Sequence, residues 1–186
     1  MSDHRQPESR RTIEPRLNES GVRCDPGLAF ERPELKALLE IWEARRRGRL
    51  LPSRADFDPL DLKPHLGHLL LTDVERAPLR FRYRLLGTTI TEILRRDATG
   101  RYFEEIYAGR LLRELFDAFS RVVETRAPLR IFSTTGHPRN DIYVYDCVLL
   151  PLSADGESVN MVLGEMRFTF ERLARPERET RDQDLT

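Results

Sequence analysis

The sequence predicts an α+β domain. It consists of a five-stranded antiparallel sheet with short helices and one long helix on one face, preceded by an amphipathic helix. Three observations predict it. Phe81-Arg82-Tyr83-Arg84-Leu85 alternates strictly between apolar residues and arginines, the period of a strand with one covered face. Leu112, Leu115, Phe116, Phe119, Val122 and Val123 recur at i, i+3 and i+4, the stripe of a helix over 111–125. Strand-like and helix-like stretches are grouped rather than alternating, which points away from a parallel βαβ sheet.

Residues 1–32 mix Arg, Glu, Asp, Ser and Pro with few large apolar side chains. Such a segment buries too little surface to offset its ordering entropy, so a disordered tail is expected there, and likewise over 171–186. The domain then spans 33–170. Pro33 opens a helix over 33–48, at a position where its missing N–H costs nothing. Leu35, Leu38, Leu39 and Trp42 form one apolar stripe along it, Arg45, Arg46 and Arg47 suit its C-terminal dipole, and Gly48 is placed to cap it. Asp58-Pro59 reads as an N-cap followed by Pro at N1, starting a short helix that runs through Leu62 and His65.

Leu69 to Glu75 and Arg80 to Leu86 read as a hairpin about Ala77-Pro78. Two short helical segments follow, one carrying Ile90, Ile93 and Leu94 and one carrying Tyr102, Phe103 and Ile106. Pro128 ends the long helix. Strands are expected over 129–134, 142–152 and 159–170, the last two joined through Asp155-Gly156.

Lys+Arg and Asp+Glu both number 31, so the chain carries no net charge. Generic attraction to nucleic acid or to an anionic membrane needs a positive field, and neither partner is expected. Lys36 and Lys63 are the only lysines, but the arginines are spread along the whole chain and mark no patch. The polar start of the sequence has no apolar signal-peptide core, and no apolar run approaches bilayer length, so a cytoplasmic chain is expected. Cys24 and Cys147 have no metal-type spacing, and no disulfide between them is expected.

The order β-β-α-α-α-β-β-β resembles that of the PAS fold. Leu85-Leu86-Gly87-Thr88-Thr89-Ile90-Thr91-Glu92-Ile93-Leu94 resembles a PAS strand-to-helix segment. Asp97-Ala98-Thr99-Gly100-Arg101-Tyr102-Phe103-Glu104-Glu105-Ile106 resembles the glycine-marked loop and helix after it, and Pro151-Leu152-Ser153-Ala154-Asp155-Gly156 the final hairpin. The Trp42 helix, Leu51-Pro52-Ser53-Arg54-Ala55-Asp56-Phe57-Asp58-Pro59, the 81–88 strand and the 97–102 loop together are similar to a bacterial family of stand-alone PAS proteins. The resemblance spans about residues 34 to 170. It implies small-ligand sensing and contact with a second copy or a signalling partner.

A PAS-like sheet curls around its helices, and Tyr83, Tyr102, Phe116, Phe132, Tyr145 and Cys147 are the candidates to line the hollow, with Arg84 as the one cation for an anionic ligand. The competing reading is that the aromatics simply fill the core. Leu35, Leu38, Leu39 and Trp42 are the candidates for a dimer or partner interface. On that reading an aspartate at 38 and 42 gives a folded monomer.

His65 and His68 are three residues apart, but no third ligand is evident, so no metal is expected. The resemblance argues against haem, because 88–102 holds no histidine, and against flavin, because no Asn-Cys-Arg-type motif is present. The cofactor, if any, is left unknown. No Ser/His/Asp set, G-x-S-x-G, Walker loop or dinucleotide fingerprint is legible, and only a short tail follows Phe170. The sequence therefore reads as a non-enzymatic sensory module, with a closed-core interaction adaptor as the alternative.

Overall fold

The computed structural model describes residues 21–136 and 141–172. The expected tail before Gly21 and the expected tail after Arg172 lie outside the described residues, as do His4 and His137. In chain order the elements are β1 (Arg23–Asp25), α1 (Pro33–Arg46), α2 (Pro59–Leu62), β2 (Leu69–Arg76), β3 (Leu79–Leu86), α3 (Thr88–Leu94), α4 (Phe103–Ile106), α5 (Gly109–Thr125), β4 (Leu129–Gly136), β5 (Asp141–Ser153) and β6 (Val159–Arg172). Two 3-10 turns, Arg54–Asp56 and Lys63–His68, complete the connector between α1 and β2.

The strands form one sheet in the order β1-β4-β5-β6-β2-β3, and every neighbouring pair is antiparallel. The sheet has six strands where the sequence predicts five. The added strand lies in the stretch read as a disordered tail: Arg23, Cys24 and Asp25 pair with Phe132, Ile131 and Arg130 of β4. The Asp25 carboxylate also accepts the Gly27 and Ala29 N–H groups, at 2.8 and 2.9 Å, and so closes the turn that follows.

Side-chain alternation gives the sheet two apolar faces. One is the helix face. Phe81 of β3 meets Phe103, Phe116 and Phe119 there, at ring separations of 5.4, 5.1 and 5.4 Å. The other is the outer face, which α1 and the connector cover. Leu35, Leu38 and Trp42 are fully buried, and the Trp42 indole N–H donates to the Pro151 carbonyl of β5 at 2.9 Å. The Ser153 N–H donates to the Pro52 carbonyl at 2.9 Å and ties the connector to the same strand. A short helix gains most of its stability from such packing, which explains why α1 is folded against the sheet.

Two local devices set these positions. The chain turns left-handed at Arg47 (φ 49°) and stays so at Gly48 (φ 81°), so α1 ends one residue before the expected glycine cap. Gly87 precedes α3, and its N–H donates to the Leu69 carbonyl at 2.7 Å. A Cβ at position 87 would stand 2.5 Å from the Gly67 carbonyl carbon and 2.6 Å from the Leu66 carbonyl oxygen, which are backbone atoms that cannot rotate away. Gly87→Ala is therefore expected to destabilise the chain by about 1–3 kcal/mol through overpacking, read as a lower urea midpoint at unchanged slope. A change below 0.5 kcal/mol would contradict this close approach.

Candidate functional site

The helix face carries a cluster of buried hydroxyl and thiol groups. Tyr83 points to this face because it stands on β3 two residues after Phe81. Tyr107 follows α4 directly, and its hydroxyl lies 3.0 Å from that of Tyr83. Phe103 packs against both rings, at 4.9 and 5.8 Å. Tyr145 and Cys147 are alternate residues of β5, so they share a face, and Ser133 of β4 stands directly across from Tyr145. Tyr83, Tyr145, Cys147 and Ser133 are all buried, and Tyr107 is half-buried.

Burial keeps this cluster protonated. It is the main cause that lifts the Tyr83 hydroxyl well above its ordinary value, and nearby Tyr107, Cys147 and Tyr145 push it further. Burial again comes first for Tyr145, then Cys147 and Tyr107. The Cys147 thiol is raised by burial, then by Asp146 and Glu165, so it is a poor nucleophile. Tyr107 is raised by burial, with the Tyr83 bond and Arg96 acting in the opposite direction. Neutral hydroxyls in an apolar wall can donate and accept hydrogen bonds but offer little to a charged reaction. Thr72 faces the same side, opposite Tyr83 across β2–β3, and its fully buried hydroxyl has no hydrogen-bond partner among the described residues.

Of the residues proposed from sequence, Tyr83, Tyr145 and Cys147 come together. Phe116 lies on the same face but packs on Phe81, 5.1 Å away, within the aromatic core. Three need correction. Arg84 lies on the outer face, where it and Arg82 both bind Asp73, through Nε at 2.7 Å and Nη2 at 3.0 Å. A bulge in the β2–β3 register leaves Arg84 without a cross-strand partner and lets the two arginines share one carboxylate. Phe132 faces outward as well, beneath the Arg130 guanidinium at 4.8 Å. Tyr102 is at the edge beside β3, with its hydroxyl donating to Glu75 at 2.9 Å and Arg80 stacked 3.5 Å from its ring centre.

The interface candidates are also placed. Leu35, Leu38 and Trp42 belong to the chain's own core, and Leu39 is half-buried against it. Sequence reasoning passed over Tyr107, whose only signal was its position just past a short helix. It also passed over Glu165. This glutamate on the outer face of β6 is fully buried, accepts from Arg167 Nε at 2.7 Å through one oxygen, and meets His65 Nδ1 at 2.9 Å through the other. His68 Nδ1 meets the Met166 carbonyl at 3.2 Å. Both histidines thus fix the connector to β6. Among the described residues no three His, Cys, Asp or Glu side chains converge as a metal site would require. No helix among them is long and apolar enough to cross a membrane.

No curated protein matches the chain. Among solved structures it is similar to an RNA-binding light-oxygen-voltage receptor, with 14% identity and a TM-score of 0.42. That likeness covers 63% of this chain and 35% of the receptor's chain. The PAS-domain family matches residues 30–167, from just before α1 to the far part of β6. That span holds the five-stranded β3-β2-β6-β5-β4 core, the helices on its inner face and the hydroxyl cluster between them, and the chain belongs to the PAS-domain family of sensory and signalling modules.

Proposed function

We propose that the chain is a non-enzymatic sensor that binds a small, uncharged, hydrogen-bonding molecule on the helix face, at Tyr83, Tyr107 and Tyr145. The observation that carries this reading is the gathering of buried hydroxyls on an otherwise apolar wall, with the Thr72 hydroxyl on the same face lacking a partner among the described residues. Buried polar groups are ordinarily paired, and an unpaired one calls for a ligand or a water. A polar molecule that bonds these hydroxyls is favoured over an ion, because a charge placed here would be desolvated.

Output passes to protein partners by contact, a second copy of the chain first among them. The surface for that contact is not the Leu35, Leu38 and Trp42 stripe, which the core already uses.

The test is to denature the purified full-length chain and identify released small molecules by mass spectrometry. Wild type is expected to release one compound in stoichiometric amount, and the Tyr83→Phe, Tyr145→Phe double variant less than a tenth of it. At about 1 kcal/mol per lost hydrogen bond, two bonds suffice for that loss. Release of nothing by wild type, or equal release by both, would refute the site. The first result would favour the adaptor reading, for which the tight ring contacts of Phe81, Phe103 and Phe119 already speak.

A further inference from the structure

We propose that the corner where α1 meets the connector to β2 is a surface for peripheral docking on an anionic lipid bilayer. The chain as a whole carries no net charge, but residues 43–63 hold six basic and four acidic side chains. Two ion pairs fold this stretch into one corner. Arg45 at the end of α1 binds Asp61 of α2, and Arg49 binds Asp56 of the first 3-10 turn at 2.8 Å. Glu43 is paired with Arg46 at 2.8 Å, and Asp58 caps α2 by accepting the Leu60 N–H at 2.8 Å. Arg47, Arg54 and Lys63 are left over, all of them exposed and none in an ion pair among the described residues. Asp58 is exposed as well and offsets one of these cations, so the corner keeps a surplus of positive charge.

The same corner exposes apolar surface. Leu60 is 74% exposed, more than any other large apolar side chain among the described residues, and Leu50 is 48% exposed. Neither can turn inward, because their neighbours Leu51, Phe57 and Leu62 already fill the core and the Ser153 N–H holds the Pro52 carbonyl at 2.9 Å. A lone exposed leucine is ordinary surface, but two of them on a fixed, cationic corner have the composition of an interfacial membrane anchor. The leucines enter the acyl boundary while the guanidinium and ammonium groups stay with the lipid phosphates. The end of α1 suits that setting, because Arg49 donates to the Arg45 and Arg46 carbonyls at 3.1 Å and so satisfies two helix-end acceptors. A bilayer fits better than an acidic protein segment. A leucine as exposed as Leu60 projects from the surface, and a soft lipid layer accepts a projection without a matching pocket. Each cation held near an anionic bilayer raises binding roughly fivefold. The docking is independent of the ligand reading above.

Co-sedimentation of the full-length chain with vesicles tests the corner, with pure phosphatidylcholine compared against an equal mixture of phosphatidylcholine and phosphatidylglycerol. Wild type is expected to bind the anionic vesicles about tenfold more tightly, and to lose that preference at about 0.5 M salt. A Leu50→Ser, Leu60→Ser double variant is expected to lose about tenfold in binding to the anionic vesicles. Its urea midpoint is expected to stay at the wild-type value, because both side chains are exposed. An Arg47→Gln, Arg54→Gln, Lys63→Gln variant is expected to bind the two vesicles alike. Leu94→Ser, which alters an exposed leucine of α3 outside the corner, is expected to bind as wild type does. Wild type that binds neither vesicle, or binds both equally, would overturn the proposal. So would a Leu50→Ser, Leu60→Ser variant that binds as tightly as wild type, or an equal loss in Leu94→Ser. Wild type that ignores vesicles but binds a polyglutamate peptide would overturn it in favour of an acidic protein partner.

Discussion

Replacing Glu165 by alanine is expected to destabilise the chain by about 3–5 kcal/mol, because it leaves buried charge and polarity without a partner. The carboxylate is fully buried, with Arg167 on one oxygen and His65 on the other. Arg167 also has Glu34 of α1 as an acidic neighbour, at 3.9 Å. Glu165→Gln keeps an acceptor for Arg167 and an amide for His65, so about half that loss is expected. Urea unfolding of both variants, compared at constant slope, checks the ordering. A loss below 1 kcal/mol for Glu165→Ala would show that the carboxylate is not a cornerstone of the outer face.

Trp42→Ala is expected to cost about 3–5 kcal/mol, the range for removing a buried aromatic side chain. The indole is 1% exposed, and its N–H is bonded to the Pro151 carbonyl. Trp42→Phe keeps most of the packing and abandons that carbonyl, so a loss of about 1–3 kcal/mol is expected. The same burial corrects the expectation that aspartates at 38 and 42 would give a folded monomer. Those substitutions place charge inside the chain's own core, and unfolding is the expected result. A folded Trp42→Ala variant with wild-type stability would mean that α1 docks elsewhere in solution.

Much of the fold was legible because its signals are local. The alternation of Phe81 and Tyr83 against Arg82 and Arg84 assigned β3 and its two faces, and the stripe from Leu112 to Val123 assigned α5. Asp58 before Pro59 marked a helix start, and its side chain accepts the Leu60 N–H at 2.8 Å. What escaped depends on partners remote in sequence. The Arg23–Asp25 strand has no periodicity of its own and exists only through β4, more than a hundred residues on. The Glu165–His65 pair is separated by a hundred positions. At the candidate site, strand parity was enough to select Tyr83, Tyr145 and Cys147. Placing Phe132 required the register of β4 against β5, because one position decides the face. Arg84 was misassigned because a bulge interrupts the count, and Tyr102 because the loop after α3 carries it to the sheet edge.

A crystal structure of the full-length chain purified without added ligand tests the central claim most directly. Non-protein density is expected on the helix face, within hydrogen-bonding distance of at least two of the Tyr83, Tyr107 and Tyr145 hydroxyls. Those hydroxyls bonded only to protein groups, with side chains filling the space between them, would contradict it.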